Sequence, residues 1–376
     1  MKIICVAGAR PNFPKIAPIM RAFQANDRFL VKLVHTGQHY DDSLSKVFFN
    51  ELGIPRPDVD LGVGSGTHTA QTASVMTLFE KVLEEEQPQV VLVVGDVNST
   101  VACSLVTAKF RLKEHFTCKR GTRNRPIMIH VEAGLRSFDD DMPEEINRKV
   151  TDALSDVLFV SDPAGTTNLK NEGVSDERMS FVGNVMIDTL LAAKDKAMSS
   201  KILTELNLEE GGYGLVTLHR PSNVDDPEQL KHIMGVLDDI AKEDVPLVFP
   251  VHPRTRARID DAGIKMDESR WKITGPVGYL DFMRLMAGAK EVLSDSGGIQ
   301  EETTVLGVRC VTLRDNTERP VTIDEGTNVL AGIRRETIMP AWKKSIASEP
   351  AGRIPRFWDG KSAVRIADYM DDLFRV

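Results

Sequence analysis

Two hydrophobic periods alternate along the chain. Short apolar runs without strict in-out alternation occur at KIICVAG (2–8), FLVKLVHTG (29–37), QVVLVVGD (89–96), PIMIHVEAG (126–134) and DVLFVSD (156–162). Between them lie longer segments with helical spacing: PKIAPIMRAFQA (14–25), LSKVFFNELG (44–53), THTAQTASVMTLFEKVLEEE (67–86) and NSTVACSLVTAKFRL (98–112). Continuous apolar strands separated by helices predict a parallel sheet covered on both faces, since such strands have no polar face to show to water. The pattern restarts after residue 175. RMSFVGN (178–184), YGLVTLH (213–219), PLVFPVH (246–252), WKITGP (271–276), EVLSDS (291–296) and RCVTLRD (309–315) predict a second set of strands. DPEQLKHIMGVLDDIAKE (226–243) and GYLDFMRLMAGA (278–289) predict helices among them. The expected architecture is therefore α/β, with two Rossmann-like doubly wound domains in tandem, 1–172 and 176–355. A last helix within 360–376 is expected to return to the first domain.

Open parallel sheets bind ligands beyond the carboxyl ends of their strands. The residues at those ends are Arg10, His35, Gly95-Asp96, His130 to Glu132, His219-Arg220, His252 and Ser296-Gly297-Gly298. So many polar groups closing apolar strands predict a polar cleft between two facing domains. One segment breaks the rhythm. FRLKEHFTCKRGTRNRP (110–126) is long for a helix-to-strand connection and reads as a surface loop or a subunit contact.

Composition narrows the class. With 376 residues the chain exceeds what one simple core needs. A net charge of −8 excludes a general nucleic-acid binder, though it leaves room for a local basic pocket. The four cysteines are scattered, with no paired or zinc-like spacing, which suits a reducing cytoplasmic setting. The first apolar run is too short for a signal peptide and ends in Arg10-Pro11. No run approaches the roughly 20 residues of a membrane-spanning helix.

The chemistry begins with SDSGGIQEE (294–302), which reads strand, tight turn, helix. Ser296, Gly297 and Gly298 would offer bare backbone N–H groups at a helix N-terminus, where donors and dipole favour an anion. A Ser cap with glycines for close packing reads equally well. Glu301 or Glu302, one turn on, would suit a ribose diol. Arg10 could pair a phosphate charge bidentately, and Lys15 is nearby. LGVGSGTH (61–68) is not a dinucleotide fingerprint, because Thr67 replaces the third glycine and no buried strand precedes it in the first βα unit. No Walker A motif is present, so the expected anion belongs to a nucleotide sugar or a similar molecule.

The stretch HVEAGLRSFDDDMPEEINR (130–148) crowds acids behind a buried strand. Asp139–Asp141 read as a solvated turn. Glu144 and Glu145 follow Pro143, which suits the first turn of a helix. Glu132 and Asp96 directly follow apolar strands, where a charge needs a partner or a cleft. Glu144 and Arg148 are one helical turn apart, so Arg148 is expected to hold Glu144. Converging carboxylates can differ in protonation, which general acid/base work requires. His219, with Arg220, and His252 end strands of the second domain and would face the phosphate turn.

These residues together resemble the non-hydrolysing UDP-N-acetylglucosamine 2-epimerases. The likeness runs nearly end to end through GARPNFPKIAPI (8–19), TGQHYDD (36–42), VVGDVNST (93–100), HVEAGLRSF and MPEEINR, FVGNVMIDTL (181–190), TLHRPSNVDD (217–226), FPVHPRT (249–255), SDSGGIQEE and LRDNTERP (313–320). The resemblance implies a glycosyltransferase-B-like fold and an elimination–addition reaction through 2-acetamidoglucal. It implies Asp96, Glu132 and Glu144 as acid/base carboxylates, with Arg148 and His219 as further active-site groups. It implies substrate binding by Arg10, Arg220, His252, Ser296, Gly297, Gly298, Glu302 and Arg319; Lys15, near Arg10, is a further binding candidate from the residues alone, with a solvated helix residue as the alternative. No cofactor and no metal are implied; the partners expected are a UDP-sugar and a second copy of the chain. A modified UDP-2-acetamido sugar such as a diacetamido uronate is the alternative substrate, and a UDP-sugar glycosyltransferase the alternative activity. The chain departs from the family at HRPSN (219–223), where many bacterial members have HRRE. It also departs after Gln38-His39, where Asp41-Asp42 and GVGSG replace the segment tied to activation by a second substrate molecule, so such activation is not expected.

Overall fold

A computed structural model describes residues 1–37, 53, 56–347 and 352–375. The helix expected at 44–53 and the departure at 38–42 fall outside the described residues, apart from Gly53 in a turn. The chain forms two compact units, Met1–Leu191 with Arg356–Val376, and Ala192–Pro355.

In the first unit the strands are β1 (Lys2–Ala7), β2 (Leu30–His35), β3 (Val59–Asp60), β4 (Val90–Val94), β5 (Phe116–Cys118), β6 (Gly121–Arg123), β7 (Ile127–Ala133), β8 (Val157–Val160) and β9 (Met179–Phe181). Seven of them form one sheet in the order β3-β2-β1-β4-β7-β8-β9, and every pairing is parallel. β4, VVLVV, is buried throughout, as a central strand covered on both faces must be. β1 lies between β2 and β4, so strand order reverses there and the crevice opens at the ends of β1 and β4. Thr67 caps the helix His68–Glu86 by accepting from the Ala70 N–H, which accounts for a threonine after the glycines.

Two expectations need correction. RMSFVGN does not open the second sheet. Its strand β9 pairs with β8 in register Leu158↔Met179, and the first unit runs on to Leu191 rather than closing near 172. An apolar run of three residues carries no mark of which sheet it joins. The basic 110–126 segment is not an open loop either. β5 and β6 form an antiparallel hairpin. Arg120 donates to the carbonyls of Asp156 and Glu177 and to the Tyr369 hydroxyl, and Phe116 stacks on Phe374. Arg120 thus satisfies backbone carbonyls, and Arg123 and Arg125 pair with the Asp156 carboxylate, uses that charge counting does not reveal.

The helix Ser362–Leu373 belongs to the first unit. Asp188 accepts the N–H groups of Ser362 and Ala363, at 3.0 and 2.7 Å, and caps that helix. Trp358, buried, donates its indole N–H to the Ser161 carbonyl.

The second unit repeats the design. β10 (Gly214–Thr217), β11 (Leu247–Pro250), β12 (Trp271–Thr274), β13 (Glu291–Ser294), β14 (Arg309–Thr312) and β15 (Asn328–Leu330) form a parallel sheet in the order β12-β11-β10-β13-β14-β15. The reversal falls between β10 and β13. Both units are thus doubly wound, and in each the polar strand ends gather at the switch point.

Candidate active site

In the first unit the site grows from three strand ends. After β1 the chain makes a tight turn, Arg10–Asn12, and enters the helix Phe13–Gln24. Asn12 ties the turn down: its side-chain oxygen accepts from the N–H groups of Gly8 and Ala9, and its amide donates to the Val94 carbonyl. Lys15 lies one turn into that helix, and its ammonium sits 2.5 Å from Glu132 Oε2.

Glu132 is set by an irregularity. The register of β7 against β8 shifts between Val131 and Ala133, and Glu132 has φ of 70°. A left-handed glutamate within a strand costs about 1–3 kcal/mol, and a bulge re-aims the side chain it carries. The result is a carboxylate only 3% exposed, with Lys15 on one oxygen and no hydrogen-bond partner on the other among the described residues. Gly95, at φ 67°, brings β4 against this pair. A Cβ there would stand 3.4 Å from Lys15 Nζ and 3.9 Å from Glu132 Oε2. Asp96 follows, half-buried, with Arg148 Nη1 at 2.5 Å from its carboxylate and its carbonyl accepting from Asn147 at 2.8 Å.

Arg148 comes from the helix Pro143–Leu154, whose buried face is polar: Glu145, Asn147, Arg148, Thr151 and Asp152. Sequence spacing paired Arg148 with Glu144. The structure pairs it with Glu145 instead, at 2.6 Å, and with Asp96. Glu145 is fully buried and needs its charge compensated, whereas Glu144 is half-buried and within reach of water. Burial pushes the Glu145 carboxyl up. The Ser137 N–H and the Arg148 guanidinium outweigh it and hold the group below the ordinary carboxylate range. Glu145 also accepts from the Phe138 N–H, so one carboxylate fixes both the arginine and the turn after β7. Asp140, in the acidic turn, is solvated and pairs with Lys149.

A buried layer supports these groups. His130 Nδ1 lies 2.6 Å from Asp152, and Nε2 donates to the Gly95 carbonyl at 2.8 Å. Asp152 also accepts from the Gly134 N–H and pairs with Arg136 at 2.7 Å. The layer therefore ties the backbone beside Asp96 to the backbone beside Glu132. The Arg10 backbone begins the turn after β1.

In the second unit the helix Gly297–Leu306 starts at the end of β13. Ser296 makes no side-chain cap, so the capping reading fails; its own N–H is not bare as expected, because the Ser294 hydroxyl accepts from it at 3.0 Å. A Cβ at Gly298 would meet nothing within 4 Å, so packing does not explain that glycine. At Gly297 a Cβ would meet Glu318 Oε1 at 2.9 Å and Arg319 Nη1 at 3.2 Å. Arg319 is held between Glu301, at 2.6 Å, and Glu318, at 2.9 Å. Arg220 donates to the Asp295 carbonyl and stands 3.6 Å from Glu318. Burial raises Glu318, but Arg319, Arg314 and Arg220 hold it well below the carboxylate range. Two arginines and uncapped backbone donors thus meet at one helix N-terminus, an anion-binding arrangement.

Glu302, one turn along, is buried and accepts from the Tyr279 hydroxyl at 2.9 Å. Burial, with Glu301 beside it, raises its carboxyl to about 7 against the pull of Tyr279. His219 is exposed at the end of β10. His252 follows β11 and caps the helix Pro253–Asp261, accepting from the Arg254 N–H at 3.3 Å.

Reading the sequence missed Glu145, Asn147, Asn12, Asp295 and Glu318. Asp295 carried the same signal as Asp96, an acid directly after an apolar strand. The others had no distinguishing mark, because polar residues in a helix turn or loop are ordinary.

Comparison with known proteins accords with this arrangement. Residues 21–371 match the family model described as UDP-N-acetylglucosamine 2-epimerase. A UDP-N-acetylglucosamine 2-epimerase of Methanocaldococcus jannaschii is 39% identical over 97% of this chain and 98% of its own. The UDP-2,3-diacetamido-2,3-dideoxy-D-glucuronate 2-epimerase of Pseudomonas aeruginosa is 39% identical over 99% of this chain and all of its own. A crystal structure of the M. jannaschii UDP-GlcNAc 2-epimerase in complex with UDP-GlcNAc and UDP superimposes with a TM-score of 0.89 at 38% identity, covering 99% of both chains. A sucrose-phosphate synthase from Thermosynechococcus elongatus, only 12% identical, shares the fold with a TM-score of 0.60. The chain belongs to the UDP-N-acetylglucosamine 2-epimerase family.

Proposed function

We propose that this protein interconverts UDP-N-acetylglucosamine and UDP-N-acetylmannosamine by eliminating UDP and adding it back. A carboxylate of the set Asp96, Glu132 and Glu144 takes the proton from C2. The C–H electron pair becomes the C1–C2 double bond of 2-acetamidoglucal, and the C1–O pair leaves with the diphosphate. UDP then returns to C1 while a proton reaches the opposite face of C2. No carbonyl adjoins C2, so the acidity must come from expelling the diphosphate, and a firm hold on that anion is part of the chemistry.

Each residue has a role in this reading. Arg220, Arg319 and the N–H groups at Gly297 and Gly298 hold the diphosphate, with the Ser296 side chain beside them, Glu302 holds the ribose, and Arg10 and His252 further parts of the nucleotide. Lys15 compensates the Glu132 charge, Arg148 orients Asp96, and His219 faces the leaving group. The observation that carries the reading is Glu132, a buried carboxylate with one bare oxygen, held beside the Asp96 strand end on a strained backbone. Charge placed there at such expense suits a group that handles protons. Incubation with UDP-GlcNAc in deuterated water tests it: the product should be UDP-ManNAc with deuterium at C2, and epimerisation that retains the original hydrogen would refute it.

The P. aeruginosa relative supports a second reading, in which the substrate is a UDP-2,3-diacetamido uronate and the chemistry is unchanged. Turnover of that sugar with none of UDP-GlcNAc would select it. The proposal extends to a homodimer acting in the cytoplasm to supply surface polysaccharide precursors. A particle of about 42 kDa by light scattering would overturn the dimer, since one chain weighs 41.6 kDa.

A further inference from the structure

Asp295 is absent from the roles above, yet it is the most heavily bonded carboxylate of the second unit's site. It is fully buried where β13 ends. Its oxygens accept from the N–H of His219 at 3.0 Å, the N–H of Arg220 at 2.9 Å and the side-chain amide of Asn223 at 3.2 Å. The fourth group against it is His219 Nδ1, at 2.8 Å. The three other contacts are all donors, so the carboxylate has no acceptor among them toward which a proton of its own could point. Burial raises the Asp295 carboxyl, but His219 and the two backbone donors outweigh it and hold it below its ordinary value.

We infer that Asp295 is a positioning residue that fixes the proton of His219 on Nδ1 and leaves Nε2 as the only ring atom able to exchange a proton with substrate. An ionised carboxylate can only accept, so the nitrogen facing it must carry hydrogen. Over half of the His219 side chain is exposed, and among the described residues nothing else bonds its ring. In the neutral ring Nε2 is then a bare acceptor; in the charged ring it is a donor. Its role in turnover rests on the epimerase reading. There, the Nε2 proton passes to the diphosphate oxygen that takes the C1–O electron pair, and Nε2 recovers it when that oxygen attacks C1 again. The backbone bonds from His219 and Arg220 to the same carboxylate fix the ring and the diphosphate-binding arginine as one unit.

The test uses nitrogen-15 spectra of histidine-labelled full-length protein, with the His219 signals identified by their loss in His219→Asn. The expected result is a protonated Nδ1 in the wild type at every pH where the fold persists. Asp295→Asn keeps acceptors for the backbone donors but turns an amide N–H toward Nδ1. The neutral ring should switch to the Nε2–H tautomer, and kcat should fall on the order of 10²–10⁴-fold with KM within a few-fold, by analogy with tautomer disruption in hydrolytic triads. A bare Nδ1 in the wild type would overturn the inference, and so would an unchanged tautomer in a folded Asp295→Asn. If that variant does not fold, the wild-type spectrum alone decides. A wild type that leaves UDP-GlcNAc and its diacetamido analogue untouched would refute the function and leave the spectra to judge Asp295.

Discussion

If Glu302 holds the ribose as proposed, one carboxyl links stability, pH and nucleotide binding. It is buried against Tyr279, and its value is raised from 4.5 to about 7, mainly by burial. That displacement corresponds to a stability on the order of 3 kcal/mol. Because the folded value is the higher one, the native state binds the extra proton between pH 4.5 and 7. The associated stability is complete below 4.5 and is lost as pH rises through 7. Glu302→Gln keeps an oxygen to accept from Tyr279 and removes the ionisation. Thermal unfolding should show the variant matching the wild type near pH 4.5 and exceeding it above pH 7, by an amount of that order.

Nucleotide binding then acts on the same proton. Ribose hydroxyls donating to Glu302 favour its ionised form, so UDP should release a proton on binding. At pH 6 most of the free protein carries that proton, and calorimetry in buffers of differing ionisation enthalpy should find nearly one released per UDP. Affinity should climb up to about tenfold per pH unit below 7 and level off above it. Glu302→Gln should bind with no such dependence. Proton release that is equal in wild type and variant would refute the assignment of Glu302 to the ribose.

Three further outcomes follow from the same geometry. Glu132→Gln and Asp96→Asn should each lower turnover of the UDP-sugar by about 10²–10⁴-fold with UDP affinity nearly unchanged by calorimetry; parallel loss of folding in both would assign them structural roles. Arg148→Met removes the cation that the buried Glu145 needs and should lose about 3–5 kcal/mol of stability, read from thermal unfolding. Glu291, buried at the start of β13 with the Trp342 indole donating to it, is raised to about 7 chiefly by burial. Glu291→Gln should therefore gain stability over the wild type as pH rises from 4.5 through 7, and an identical pH dependence would count against the burial argument.

The two parallel sheets were legible because buried strands are largely apolar without alternation: the run ending in Asp96 is continuous, and those ending in Glu132 and His219 are broken only at His130 and Thr217. Their polar ends were legible for the same reason: a charge directly after such a run has no benign solvent-facing position. Partner choice was not legible. Glu144 and Glu145 stand side by side in a first helical turn, and spacing admits either to Arg148 at three or four residues. Burial decided for Glu145, and burial depends on which way the helix rolls against the sheet. β9 was misplaced for a related reason: hydrogen bonds to β8, not its own residues, determine its sheet.

The helix Pro143–Leu154 shows how the fold and the site constrain each other. Its buried face is made of Glu145, Asn147, Arg148, Thr151 and Asp152, while Ile146 is exposed. An amphipathic helix of the usual kind would turn the opposite way. This orientation persists because the buried charges are compensated: Glu145 by Arg148 and two backbone donors, Asp152 by His130, Arg136 and the Gly134 N–H. Removing Arg148 leaves the buried Glu145 without a cation, at about 3–5 kcal/mol, which a helix packed through methyl groups would not risk. What the arrangement secures is geometry. Asp152 and His130 fix the backbone beside Glu132 and Asp96, and Arg148 fixes the Asp96 carboxylate itself. A helix held by apolar contacts could slide by fractions of an ångström without penalty, whereas one held by directional, charge-assisted bonds cannot, and proton transfer at carbon demands that precision.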